Sequence, residues 1–235
     1  MLNKLVEELK SAGNPKQAEL CQRYFKTGKG EYAEGDVFLG IKVPVLRSIA
    51  KKYYALSLED LQKLLDSRIH EERFAALVIL INKYKKAKKN KVEKMRIFNF
   101  YLKNTSRINN WDLVDVSAPK IVGDFSIMEG NEIIRHLSKS SNLWEKRIAI
   151  ISTLAFVQKR NFGETLAISD ILLNDKHDLI HKAVGWALRE VGKKNQGVLE
   201  IFLKTRYKEM PRTMLRYAIE KFDKEKRQKY LKGEI

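Results

Sequence analysis

The sequence predicts an all-α fold in which helical repeats stack into a superhelix, an α-α solenoid. First, the 235 residues include only 4 Pro and 12 Gly, and the abundant Leu, Ala, Lys and Glu residues are good helix formers. Second, apolar residues recur at spacings of three and four along most of the chain. Third, similar helix starts return at a nearly constant interval. We expect one repeat domain over residues 1–235.

Capping residues and breakers divide the chain into successive helices. Asn14 and Pro15 fit a helix start, and Ser57 fits an N-cap followed by acids. Glycines mark a loop at about 27–37. Helices are expected from Asn14, from Ser57, and over about 1–12, 44–53, 68–84, 92–103, 109–121, 130–138, 142–159, 163–174, 177–193, 196–204 and 211–222. The charged tail, about 224–235, is expected to fray.

A repeat becomes visible when the charged or aromatic starts of apolar helices are aligned. The markers are Arg73, Trp111, Arg147, Lys182 and Met214, at intervals of 38, 36, 35 and 32 residues. This is close to the roughly 40-residue period of HEAT-type helix pairs, whose second helices line a concave face. We therefore expect one concave groove to contain Trp111, Asp115, Trp144, Arg147, Lys182, Trp186 and Arg189.

The charge balance indicates a polyanionic partner. There are 46 Lys plus Arg against 29 Asp plus Glu, a net charge of +17, and the excess is spread along the chain. A folded basic face is expected from this distribution, and nucleic acid is the first partner to consider. The alternative is that the basic surface serves solubility alone.

The sequence predicts neither a metal site nor a cofactor. The single cysteine, Cys21, excludes an internal disulfide and a multi-cysteine zinc site. His177 and His181 are four residues apart, but no Glu lies between them and no third ligand is evident. Because no uncharged apolar run approaches the roughly 18 residues of a membrane span, we expect a cytoplasmic protein.

One pair of residues suggests chemistry. Trp111 and Asp115 are four residues apart, so a helix places both on one face. A carboxylate would repel a polyanion, whereas a carboxylate and an indole can both stabilise positive charge that develops on a substrate. The alternative is an ordinary amphipathic helix, with Trp111 in the core and Asp115 solvated or in an ion pair.

Two further pairs combine an indole with a guanidinium three residues later. Trp144 precedes Arg147, and Trp186 precedes Arg189. Such pairs suit nucleic acid, because Arg holds phosphates and indole faces meet sugars or bases. Alternatively, the indoles fill gaps between repeats and the arginines pair with neighbouring glutamates.

Several motifs together resemble the DNA alkylation repair glycosylases of the AlkD type, over about residues 14–220. They are residues 110–115 (NWDLVD), 143–147 (LWEKR), 182–190 (KAVGWALRE), and 38–41 (FLGI) followed by Pro44. The resemblance implies a HEAT-like superhelix that grips duplex DNA in a concave basic groove. It also implies hydrolysis of the N-glycosidic bond of positively charged N3- or N7-alkylated purines, with the lesion left in the base stack.

The resemblance also implies roles for individual residues. Asp115 resembles the catalytic carboxylate, Trp111 and Trp186 the two indoles that cradle the deoxyribose, and Arg147 the arginine that holds a phosphate and the carboxylate. The expected DNA contacts are Arg189, Lys182, Tyr24, Trp144 and Lys193. The expected partner is double-stranded DNA, bound by a monomer without a cofactor. The alternatives are a non-catalytic protein that binds damaged or branched DNA and a protein-binding scaffold.

Overall fold

The computed structural model describes all 235 residues as sixteen α-helices and two 3-10 turns, with no strand, so the predicted all-α fold is confirmed. The helices are α1 Leu2–Ser11, α2 Pro15–Tyr24, α3 Val43–Lys52, α4 Leu58–Leu65, α5 His70–Lys86, α6 Lys91–Lys103, α7 Trp111–Ser117, α8 Val122–Glu129, α9 Glu132–Ser138, α10 Leu143–Ser152, α11 Leu154–Gln158, α12 Gly163–Ile171, α13 Asp178–Lys194, α14 Gln196–Lys204, α15 Arg212–Ala218 and α16 Lys224–Lys232. None of them combines the length and the apolar character needed to cross a bilayer.

The capping residues read from the sequence are confirmed. The Asn14 side chain accepts a hydrogen bond from the Gln17 N–H at 2.9 Å. The Ser57 hydroxyl accepts from the Asp60 N–H at 3.2 Å. Each cap satisfies an N–H group that has no partner within the first turn of its helix.

Several predicted helices are shorter than expected. Those over 163–174 and 211–222 end at Ile171 and Ala218, and two further breaks have a local cause. The helix expected over 109–121 ends at Ser117, because Pro119 cannot continue the α-helical ladder. The helix expected over 142–159 is interrupted at Thr153, whose hydroxyl donates to the Ile150 carbonyl at 2.7 Å and competes with the backbone. Helix α8 was not predicted at all, since Gly123 and Asp124 interrupt its apolar pattern.

The expectation of a frayed tail is wrong. Helix α16 begins after Asp223, whose carboxylate accepts from the Lys226 N–H at 2.8 Å. Tyr230 is buried, and its ring centroid lies 5.3 Å from that of Tyr207 and 5.6 Å from that of Phe222. One buried aromatic residue thus anchors a helix that is otherwise charged. The charged composition of the segment gives no indication of this contact.

The chain divides into two compact units, Met1–Leu113 and Val114–Ile235, with the boundary inside α7. In the first unit α5 packs against α3, α4 and α6; in the second, α13 packs against α10, α14 and α15. Every repeat marker lies in the first five residues of α5, α7, α10, α13 or α15, as expected for repeated units. The single domain over 1–235 and the shared concave groove stay predictions.

A buried carboxylate explains the FLGI motif. Glu71 is 4% exposed and accepts from the N–H groups of Leu39 at 2.9 Å, Gly40 at 2.8 Å and Ile41 at 3.2 Å. Gly40 has a φ of +77°, and a Cβ atom there would lie 2.3 Å from the Asn14 carbonyl oxygen. Only glycine fits this position, and the loop is fixed by α5 rather than by local structure.

Gly185 permits the close approach of α13 and α15. A Cβ atom on Gly185 would lie 2.5 Å from the Met214 carbonyl oxygen and 2.5 Å from the Tyr217 Cβ. Backbone atoms cannot rotate away as a side chain can, so the two helices would have to separate. The glycine in the KAVGWALRE motif is therefore a packing requirement.

We expect Gly185→Ala to lower the free energy of unfolding by about 1–3 kcal/mol, the usual cost of overpacking. Chemical denaturation measures this directly. The matched control is Gly163→Ala at the first residue of α12, where the nearest neighbouring atom is 4.0 Å away. The control should leave the stability unchanged or slightly raised. Equal stabilities for the two variants would contradict the packing role of Gly185.

Candidate functional site

Asp115 and Arg147 form a bidentate ion pair in the second unit. Arg147 Nε donates to Asp115 Oδ1 at 2.9 Å, and Nη2 donates to Oδ2 at 2.8 Å. The third branch, Nη1, donates to the Leu179 carbonyl at 2.7 Å, at the start of α13. The Arg147 side chain is 6% exposed and that of Asp115 is 18% exposed. The guanidinium is thus nearly buried, and the Asp115 side chain remains partly exposed.

The geometry of this pair determines what the carboxylate can do. Two parallel hydrogen bonds fix the plane of the carboxylate as well as its position. Each carboxylate oxygen can accept more than one hydrogen bond, so the pairing with Arg147 does not use up the acceptor capacity of Asp115. The adjacent guanidinium also reduces the repulsion that a lone carboxylate would exert on a polyanion.

Trp111 opens α7 one turn before Asp115 and belongs to a stack of four rings in the first unit. The centroid distances along this stack are 5.1 Å from Trp111 to Phe25, 4.8 Å from Phe25 to Phe38 and 4.5 Å from Phe38 to His70. Tyr24 is 68% exposed and meets the Trp111 indole edge-on at 5.9 Å. We call Trp111, Phe25, Phe38 and His70 the ring stack.

His70, at the buried end of the ring stack, is held between two carboxylates. Its Nε2 lies 2.8 Å from Asp112 Oδ2, and its Nδ1 lies 3.4 Å from Asp36 Oδ2. Burial opposes protonation of the ring, but the charge and hydrogen bond of Asp112, helped by Asp36, raise the pKa of His70 to about 9. An imidazolium therefore joins the ring stack to Asp112, the residue next to Trp111.

Asp36 has a second cationic partner. Arg73 Nη2 donates to Asp36 Oδ2 at 2.6 Å. Although burial favours the protonated acid, the hydrogen bond from His70 and the charge of Arg73 lower the pKa of Asp36. Arg73, Asp36, His70 and Asp112 thus form a buried network of alternating charges. This network fixes the start of α7 and therefore the backbone position of Trp111.

In the second unit, Glu190 connects three of the residues that the sequence marked as site residues. Its Oε1 accepts from the Trp186 indole N–H at 3.2 Å and from Lys193 Nζ at 2.7 Å. Arg189 Nε lies 3.6 Å from the same oxygen, and Arg189 also pairs with Glu220. Trp186 is half-buried, so its position depends on this hydrogen bond as well as on packing.

The other predicted DNA contacts lie in different environments. Lys182 pairs with Asp178 at 2.6 Å on the first turns of α13 and is 41% exposed. Trp144 is only 8% exposed. This burial favours packing between repeats, the alternative to DNA contact. DNA contact by either residue, and by Arg147, Arg189, Lys193 and Tyr24, stays a prediction.

Sequence reasoning missed several residues that support the site. Glu190 was expected only as an alternative partner of Arg189. Its contacts with Trp186 and Lys193 were detectable, because it follows Trp186 by four residues and precedes Lys193 by three, both contact spacings on a helix. The ring stack was not detectable. Its members come from the end of α2, a loop, α5 and α7, and only the adjacency of Phe25 to Tyr24 could have suggested it.

Comparisons with known proteins agree on one family. A family model described as "DNA alkylation repair enzyme" matches residues 5–222. No curated protein sequence matches the chain significantly. Among solved structures, a predicted DNA alkylation repair enzyme from Enterococcus faecalis has a TM-score of 0.68 and 19% identity, covering 90% of this chain and 97% of that one. AlkD2 from Streptococcus mutans has a TM-score of 0.56 and 21% identity, covering 89% and 98%. At these identities the two structures support the shared fold.

We expect alkaline pH to weaken the first unit through His70. The pKa is raised from 6.5 to about 9, so the stabilisation is fully present below pH 6.5 and is lost as the pH rises through 9. A shift of this size corresponds to a contribution on the order of 3 kcal/mol. The measurement is thermal unfolding of wild type and His70→Gln between pH 6 and 10.

The difference in stability between the two proteins should shrink as the pH rises. His136→Gln, at an exposed histidine on α9, is the matched control and should follow wild type throughout. A His70→Gln variant whose deficit is the same at pH 6 and pH 10 would show that the charge of His70 contributes nothing.

Proposed function

The chain belongs to the DNA alkylation repair enzyme family, and from this premise we propose that it is a DNA glycosylase. The proposed substrates are positively charged N3- or N7-alkylated purines in duplex DNA, excised without base flipping. The observation that carries the proposal is the bidentate Asp115–Arg147 pair, which fixes the orientation of a carboxylate whose side chain is still 18% exposed. Trp111 precedes Asp115 by one turn of the same helix.

The proposed reaction is hydrolysis of the bond between C1′ of the deoxyribose and the alkylated purine. The bonding electron pair passes to the purine ring and cancels its positive charge, so the base leaves without a general acid. Positive charge develops on the sugar, in an oxocarbenium-like transition state similar to that of glycoside hydrolysis. Water forms the new bond to C1′ and gives up a proton to solvent.

Asp115 has the properties that this transition state requires. A carboxylate near C1′ stabilises the cationic sugar and can orient the attacking water. Because Arg147 fixes the carboxylate through two hydrogen bonds, little reorganisation is needed when the charge appears. In this proposal the indole faces of Trp111 and Trp186 add attraction to the cation and exclude solvent.

The cationic residues have the role of binding the DNA backbone in this proposal. Lys182 and Lys193 are each 41% exposed and paired with Asp178 and Glu190. Such exposed pairs are weak, so a phosphate can replace the acid as partner. With a net charge of +17, binding to duplex DNA should weaken steeply as salt rises.

We expect Asp115→Asn to lower the rate of 7-methylguanine release from methylated duplex DNA by about 10²–10³-fold, the usual loss when a preorganised electrostatic group is removed. Duplex binding should be retained, because the change removes a negative charge. The matched control is Asp170→Asn. Asp170 forms another bidentate pair, with Arg206, in the same unit. Loss of the Asp170 charge should leave the release rate near that of wild type.

The outcomes separate the candidate functions. A wild-type protein that binds duplex DNA but releases no base above background would contradict the glycosylase proposal. It would favour a non-catalytic protein for damaged or branched DNA, with Asp115 as an ordinary ion-pair partner. Binding that is weak and insensitive to salt would instead favour a protein-binding scaffold.

We expect Trp186→Phe to lower the release rate by about tenfold, because a cation interacts less strongly with a phenyl ring than with an indole. The matched control is Trp144→Phe, which alters a buried residue. The control should lower the thermal midpoint and leave the release rate, measured well below that midpoint, near wild type. The opposite pattern would place the functional indole at Trp144.

A further inference from the structure

The second unit contains a cleft that the proposed chemistry does not use. It has a volume of about 710 Å³ and is lined by the end of α9, the turn before α10, the first residues of α10 and the segment from the end of α12 to His177. Three lysines line it, Lys139, Lys146 and Lys176, against a single acid, Asp175. We call it the loop cleft.

The acid in the loop cleft is already bonded within the protein. Asp175 Oδ2 accepts from Lys146 Nζ at 2.7 Å, and Oδ1 accepts from the His177 N–H at 2.8 Å. Burial would favour the protonated acid, but the hydrogen bonds from Lys146 and the His177 N–H, together with the charge of Lys146, outweigh it and lower the pKa of Asp175. The carboxylate therefore balances Lys146 and leaves the charges of Lys139 and Lys176 for a ligand.

His177 adds a neutral donor. Its Nδ1 accepts from the Leu179 N–H at 3.1 Å and caps α13, so in the neutral ring the proton lies on Nε2. Partial burial is the main reason why the pKa of His177 is lowered, and the ring is neutral at pH 7. The lining also includes the Ser141 hydroxyl and the Asn174 amide, which can donate as well.

This lining fits a phosphodiester better than a base. A phosphodiester offers only acceptors and a single negative charge, which matches an excess of lysines and N–H or O–H donors. No Phe, Tyr or Trp lines the loop cleft, so it lacks the aromatic platform on which an unpaired base stacks. Its volume admits a stretch of sugar–phosphate backbone.

The loop cleft lies next to the proposed catalytic pair along two helices. Lys146 immediately precedes Arg147 on α10. His177 caps the helix start at which the Leu179 carbonyl receives the third bond of Arg147. A backbone segment held in the loop cleft would therefore lie against the same two helices that hold Asp115.

We propose that the loop cleft binds a phosphodiester of the DNA backbone beside the lesion and fixes the position of the duplex relative to Asp115. This inference rests on the proposed function, because duplex DNA is the ligand. Lys139 and Lys176 supply the charge, and Lys146 and Asp175 fix the rim of the cleft. The contact is independent of base sequence and of the damage itself.

The test compares two double variants of the full chain. Lys139→Gln with Lys176→Gln removes the two charges, and Lys159→Gln with Lys204→Gln removes two exposed lysines of the same unit outside the loop cleft. Binding to an undamaged duplex is measured by fluorescence anisotropy over a range of salt concentrations. The slope of log K against log salt should become shallower by about 1 for the cleft variant, the change expected when the contact with one phosphate is lost.

The control variant should change this slope by less than half as much. Equal slopes for wild type and the cleft variant, or equal losses in the two variants, would overturn the proposal. So would thermal stabilisation of wild type by inorganic phosphate together with an unchanged slope for DNA, since the loop cleft would then hold a small anion instead of the backbone.

Neutral methylphosphonate linkages locate the contact. In a duplex with one such linkage at successive positions beside a 7-methylguanine, wild type should lose affinity at one or two positions where the cleft variant loses none. A variant that loses as much as wild type at every position would refute a contact beside the lesion. Since binding is measured without base release, a wild type that releases no base would refute the glycosylase and leave this result standing.

Discussion

The guanidinium of Arg147 is the interaction on which the candidate site depends. One nearly buried side chain donates to Asp115 on α7 and to the Leu179 carbonyl at the start of α13, while its own backbone belongs to α10. A buried charge persists only when its hydrogen bonds are satisfied. The orientation of the Asp115 carboxylate is therefore set by the packing of α7, α10 and α13, and local sequence alone does not determine it.

Several acidic residues in this basic protein hold other side chains in place. Asp112 and Asp36 hold the imidazolium of His70 in the ring stack, Glu190 holds the indole of Trp186, and Asp175 holds Lys146. Each acid fixes the position of a ring or a cation. Such an arrangement suits a protein with a polyanionic partner, because the negative charges are largely compensated before the partner arrives.

The sequence predicted those features that depend on short spacings. Asn14 and Ser57 cap their helices as expected, and the repeat markers fall at helix starts, because capping and helical periodicity are local properties. The breaks at Thr153 and after Ser117 were missed, since a side-chain hydrogen bond and a proline outweighed an otherwise apolar pattern. The i, i+4 spacing of Trp111 and Asp115 was evident in the sequence. The ring stack that contains Trp111 and the Arg147 bond to Leu179 join distant segments, so they follow only from tertiary structure.

The loop at Gly40 has a consequence for how the protein meets ions. Three successive N–H groups converge there, an arrangement that commonly captures an anion, and Glu71 fills it from within the chain. Because the Glu71 carboxylate is buried and is part of the chain, it does not exchange with anions from the buffer. Rising ionic strength should therefore leave the shape of this loop unchanged, because no dissolved anion is part of it.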